Sequence, residues 1–126
     1  MTIVLSSQEI AHYRTELAAD QEALSALDQI EDCEGDLEDA AISLGIQAGQ
    51  QPDRADWLSG VAKRCRVVLC CDPCHSYFQA GKLSHVVATL REAGVCPPEL
   101  VTPVVLWVVQ LGVENFCEPL SYKQYN

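Results

Sequence analysis

Positive charge is scarce in this sequence. Eight Lys and Arg stand against eighteen Asp and Glu, for a net charge of −10. The scarcity is local: residues 1–56 carry a net −11, with only Arg14 and Arg54 as cations, whereas residues 57–126 come to +1. Phosphate recognition needs clustered cations, so no direct nucleic-acid binding is expected. Long apolar runs are missing too. The longest, Val104–Val109, is far shorter than the roughly 20 residues of a membrane-spanning helix. No basic segment followed by an apolar stretch opens the chain. The reading is a soluble, cytoplasmic protein with no membrane association. Internal repeats, low-complexity tracts, a nucleophile elbow and a phosphate-cradling glycine loop are also absent, and no catalytic residue is nominated. What remains is a chain of 126 residues, enough for one domain with one core. It holds seven cysteines, an odd number that cannot pair completely. In a reducing cytosol most are expected to stay thiols, packed as small hydrophobes.

Helix signals recur along the chain. Ser6-Ser7-Gln8-Glu9 fits a capping box: a hydroxyl serves the first free amides and a carboxylate reaches back, with Leu5 and Ile10 placed as a hydrophobic staple. Ile10, Tyr13, Leu17, Leu24 and Leu27 share one face, which predicts a long helix from Ser7 to about Ile30, its stripe interrupted by Asp20. Gly35-Asp36 marks a break and a new cap, for a helix carrying Leu37, Ala41, Leu44 and Ala48 and stopping at Gly49. Asp53 is placed to cap a third helix, striped by Trp57, Val61, Cys65 and Val68. Asp72-Pro73 reads as the cap and first residue of a short helix ended by Gly81, and Ser84 as the cap of another over His85–Ala93 before Gly94. Thr102-Pro103 reads as the start of a last helix through the valine run toward Phe116. Periodicity does not separate helix from strand there, but no second strand candidate exists to pair with it. The polar tail from about Pro119 is expected to be loosely held. The predicted fold is all-α, a single compact bundle-like domain of five or six helices, with Trp57, Trp107 and the valine run in its core.

Chemistry-bearing residues concentrate in CRVVLCCDPCHSYF, residues 65–78. Cys71-Asp72-Pro73-Cys74-His75 matches the attachment sequence of c-type haem, but that chemistry needs export. It also matches a redox C-x-x-C, whose thiolate a helix N-terminus would favour, but without the strand that precedes such motifs. As a metal site, Cys71, Cys74 and His75 with Cys65 or Cys70 supply four ligands for zinc or iron. The second separate ligand pair of recognisable zinc modules is missing, and the intervals miss the plant-type iron–sulfur spacing. The structural reading is preferred: Cys65 packs on its stripe, Cys70 and Cys71 end a buried helix, and Pro73 explains the break. A dyad of Cys71 or Cys74 with His85 has residue types but no demonstrated proximity. Glu9 and His12 match half of a di-iron helical motif, and the other half is absent.

The acidic excess peaks at Asp28, Glu31, Asp32, Glu34, Asp36, Glu38 and Asp39. Aligning Gly35 with the glycine of a calcium-binding EF-hand loop puts Ile30 and Ala41 where ligands belong, so that template fails. A face of one sign sets steering and partner choice. The first functional reading is therefore a regulatory or adaptor protein that binds another protein with a basic surface through these seven acids. The alternative is a metal- or redox-responsive protein built on Cys71, Cys74 and His75. A third reading, weaker than both, is inhibition by mimicry of nucleic-acid charge.

Overall fold

The computed structural model describes the backbone of residues 2–52 and 56–124, and the side chains among them as far as residue 119. Among the described residues there are nine helices and no strand: α1 (Ser7–Glu16), α2 (Gln21–Asp32), α3 (Leu37–Gln47), α4 (Trp57–Arg64), α5 (Arg66–Leu69), α6 (Cys74–Gln79), α7 (Leu83–Ala93), α8 (Pro98–Leu111) and α9 (Val113–Gln124). The all-α class holds. The number of helices does not, and each difference has a local cause.

The predicted long helix over 7–30 is two helices. Asp20 does more than interrupt a stripe: its carboxylate accepts from the Ala23 N–H at 3.0 Å and caps α2, the ordinary role of a side-chain acceptor at a helix start. The capping box on α1 is complete, Ser6 N–H donating to Glu9 at 2.9 Å and Glu9 N–H to Ser6 Oγ at 3.1 Å. Asp36 caps α3 through the Asp39 N–H as expected. The helix striped by Trp57 breaks at Cys65 into α4 and α5. The predicted cap at Asp53 lies outside the described residues, and α4 begins after Asp56.

Asp72 does not cap α6. Its carboxylate is taken by the Ser76 hydroxyl at 2.7 Å, and Pro73 becomes the boundary residue. Helix α7 starts at Leu83 rather than after Ser84, because the Val86 N–H already reaches the Lys82 carbonyl. Helix α8 starts at Pro98, not Pro103. Pro98 takes the first-turn position that needs no N–H, and Pro103 rides inside the helix, leaving the Glu99 carbonyl without its ladder donor. Gly112, at φ +104°, turns the chain into α9. That helix continues through Pro119 to Gln124.

Helix α8 organises the packing. Every residue from Leu100 to Val108 is buried, and α2, α3, α4, α7 and α9 all lie against it. A helix apolar on all sides must be surrounded, and each fully buried aliphatic side chain contributes roughly 1.5–3 kcal/mol. Trp107 is in this core, and its ring meets Phe116 of α9 edge-on at 6.1 Å. Trp57 is only half-buried, against α3 at Gly45. Among the described residues no single helix is long and apolar enough to cross a membrane.

The contact at Gly45 gives the first test. A Cβ there would run into the Trp57 ring. Gly45→Ala gains helix propensity of about 1 kcal/mol but overpacks the contact by about 1–3 kcal/mol. The net expected is a loss of about 1 kcal/mol, read as a lower urea midpoint, with tryptophan emission moved to longer wavelength as the ring tilts out.

Two ties secure the periphery. The Leu5 N–H donates to the Gly35 carbonyl at 2.8 Å and the Leu37 N–H to Ile3 at 3.1 Å, so the N-terminal segment straps the α2–α3 corner. On the other side, a disulfide joins Cys70, at the end of α5, to Cys117 on α9. Beside it Arg66 donates to the Phe116 carbonyl at 2.8 Å and lies 4.7 Å over its ring.

Candidate functional site

The seven acids fall on the C-terminal end of α2, the corner after it and the first turn of α3. The corner is tight because Glu34 and Gly35 both take positive φ, +58° and +86°. At Gly35 the reason is contact: a Cβ would strike the Leu5 carbonyl. Two of the acids are neutralised from α1, where Arg14 donates to Asp28 at 2.8 Å and Glu31 at 3.3 Å. Asp36 is occupied as a cap. Asp32, Glu34 and Asp39 are exposed, and make no ion pair among the described residues. Partial burial, together with the charges of Asp36, Asp56 and Asp39, pushes the Glu38 carboxyl above the ordinary range. Among the described residues the corner is thus a crowded anionic surface with Arg14 set at its α1 edge.

Cys65 and Cys74 are buried, and Cys71 and His75 are half-buried. Among the described residues no group of three or more His, Cys, Asp or Glu is gathered to hold a metal ion, so Cys71, Cys74, His75 and Cys65 do not surround a common point. Burial pushes the Cys74 thiol up, away from the reactive thiolate. The His85 ring lies against Tyr77 at 5.1 Å, with Ser84 Oγ 3.5 Å from Nδ1. Glu9 is spent in its capping box and accepts from Gln110 at 2.9 Å, while His12 faces Glu16 at 3.1 Å.

The expectation of thiols holds for Cys33, Cys65, Cys71, Cys74 and Cys96, and fails for the bonded pair Cys70–Cys117. Sequence reasoning placed neither Cys96 nor Cys117 near the central segment. The partner of Cys117 lies 47 positions away, and no spacing rule pairs cysteines across such an interval. The chain matches no family model, no curated protein and no solved structure.

Proposed function

We propose that this helical domain works by binding another protein, one with a basic surface, through the acidic α2–α3 corner, in a regulatory or adaptor role. The observation that carries the reading is the charge balance among the described residues of that corner: of the seven acids, Arg14 reaches Asp28 and Glu31, and Asp32, Glu34 and Asp39 are exposed. Asp32, Glu34 and Asp39 are left for a partner. Exposed charges of this kind act mainly on encounter rate, and each contributes about 0.5 kcal/mol to a contact. Together the three are worth about 1.5 kcal/mol, or roughly tenfold in affinity.

The test uses the full chain as bait in extract from its own cells. A captured protein is then purified and titrated against wild type and against the triple variant D32N/E34Q/D39N. The expected result is a basic partner whose binding weakens about tenfold in the variant and falls with added salt, while the circular dichroism of the variant is unchanged. Equal binding by both proteins at low and high salt would remove this reading.

A further inference from the structure

Helix α9 has a narrow seat. It leaves α8 at an angle of 97°, turning at Gly112, whose φ of +104° is one that side-chain-bearing residues rarely adopt. From there it lies against α8 and α5. Val113 is half-buried at its start, and Phe116 and Cys117 are buried, while Glu114, Asn115, Glu118 and Pro119 are exposed. Among the described residues the anchorage is thus concentrated in two adjacent positions. Phe116 meets the Trp107 ring edge-on and lies under the Arg66 guanidinium. Cys117 is bonded to Cys70. Pro119 carries no N–H, so the helix lacks its ladder bond to the Asn115 carbonyl.

The two bonded sulfurs belong to residues of different access. Cys117 is buried at 6% exposure, whereas Cys70 is half-buried at the end of α5. An incoming thiolate therefore meets Cys70 first, and Cys117 is the leaving group. The other five cysteines are free thiols, so opening this bond removes the cross-link between α5 and α9 and touches no other.

We propose that the Cys70–Cys117 bond is a redox switch: a dithiol reductant opens it and frees α9, uncovering the side of α8 around Trp107. One thiolate of the dithiol attacks the Cys70 sulfur. An S–S bond forms between them, the Cys70–Cys117 bond breaks, and Cys117 leaves as a thiolate that takes up the proton shed by the attacking thiol. The second thiolate of the reductant attacks the reductant's own sulfur in the mixed disulfide, and Cys70 leaves and takes up the second proton. Two electrons and two protons pass to the protein, and the dithiol ends as a disulfide. With the bond gone, α9 turns about Gly112 and Phe116 leaves the Trp107 ring. Helices α2, α3, α4 and α7 stay packed on α8. An element held by few buried contacts is the one that opens locally while the core stays closed.

The test uses the purified full chain in native buffer, once as prepared without reductant and once in dithiothreitol. Both samples meet a glutamate-specific endoproteinase briefly, and the cuts are timed by mass spectrometry. Glu114 lies on α9, and Glu22 and Glu92 lie on α2 and α7 as internal references. The expected result is cutting after Glu114 about tenfold faster in the reduced protein, with the rates after Glu22 and Glu92 unchanged. Tryptophan emission moves to longer wavelength at the same time, and both changes reverse when the dithiothreitol is removed and the bond re-forms in air. The C70S/C117S variant should be cut at the reduced rate with or without dithiothreitol. If that variant does not fold, the two forms of the wild type decide alone. Equal cutting after Glu114 in both forms, a rise of the same size at all three sites, or a peptide map without the Cys70–Cys117 cross-link would overturn the proposal.

Discussion

Cys117→Ser is expected to remove about 4 kcal/mol of stability, the largest effect of any single substitution considered for this chain. The bond joins residues 47 apart in sequence, and the loop-closure entropy taken from the unfolded chain by a cross-link of that span is roughly 4 kcal/mol. That loop contains α6, α7 and α8. Without the bond, α9 is held to α5 mainly by Arg66, through its hydrogen bond to the Phe116 carbonyl and its place over the Phe116 ring. The check is urea unfolding of wild type and variant, each with and without dithiothreitol. Wild type in reductant should fall to the variant's midpoint, and the variant should not respond. In thermal melts the loss corresponds to a fall in Tm on the order of 15 °C. A wild type that ignores the reductant at every urea concentration would show that the bond contributes little.

The second large effect is expected at Asp20. One carboxylate serves two structures: it caps α2 and receives both terminal nitrogens of Arg91 from α7, at 2.9 and 3.0 Å. The pair is largely withdrawn from water, with side-chain exposures of 14% for Asp20 and 25% for Arg91. Arg91 Nε also approaches Glu22 Oε2 at 2.8 Å without forming a hydrogen bond. Asp20→Ala removes a cap, worth about 1 kcal/mol, and leaves a half-buried guanidinium short of its main partner, a further loss of about 2 kcal/mol after allowance for partial solvation. A total near 3 kcal/mol is expected in denaturant unfolding.

The same contact has a pH signature. Burial alone would raise the Asp20 carboxyl, but the Arg91 hydrogen bonds, the Ala23 and Glu22 amides and the Arg91 charge together hold it below the ordinary carboxylate range. A carboxyl lowered in the folded state contributes stability above its unfolded value. That contribution is lost as the pH falls through the folded value. Wild type should therefore lose stability progressively below about pH 4, and Asp20→Asn should show a shallower acid limb from a lower starting point. Equal acid limbs in the two proteins would place the sensitivity elsewhere.

Much of the fold is legible in the sequence where the signal is local. The capping box at Ser6–Glu9, the cap at Asp36 and the glycine stops at Gly49, Gly81 and Gly94 all lie where short-range chemistry puts them. Reading failed where one residue type serves two roles. Asp20 looked like a flaw in an apolar stripe, and is a cap whose second partner lies 71 positions away. Of the two prolines able to start α8, burial selected Pro98 and left Pro103 inside. The acids of the candidate surface were legible as a cluster. Their partition into neutralised, capping and exposed members was not, because it depends on Arg14 reaching across from α1. The pairing of Cys70 with Cys117 is a property of packing and has no counterpart in spacing.

The position of α8 in the chain bears on how the protein is made. Helices α1 to α7 emerge from the ribosome first, yet α2, α3, α4 and α7 all turn side chains toward a segment that starts only at Pro98. Until Leu111 has left the exit tunnel, those helices lack their central packing partner. The nascent chain carries exposed apolar faces until α8 has emerged, the condition in which unfinished chains associate with one another or with chaperones. Folding here waits for α8 to be made, and a stop codon before Pro98 leaves a set of helices without their central element.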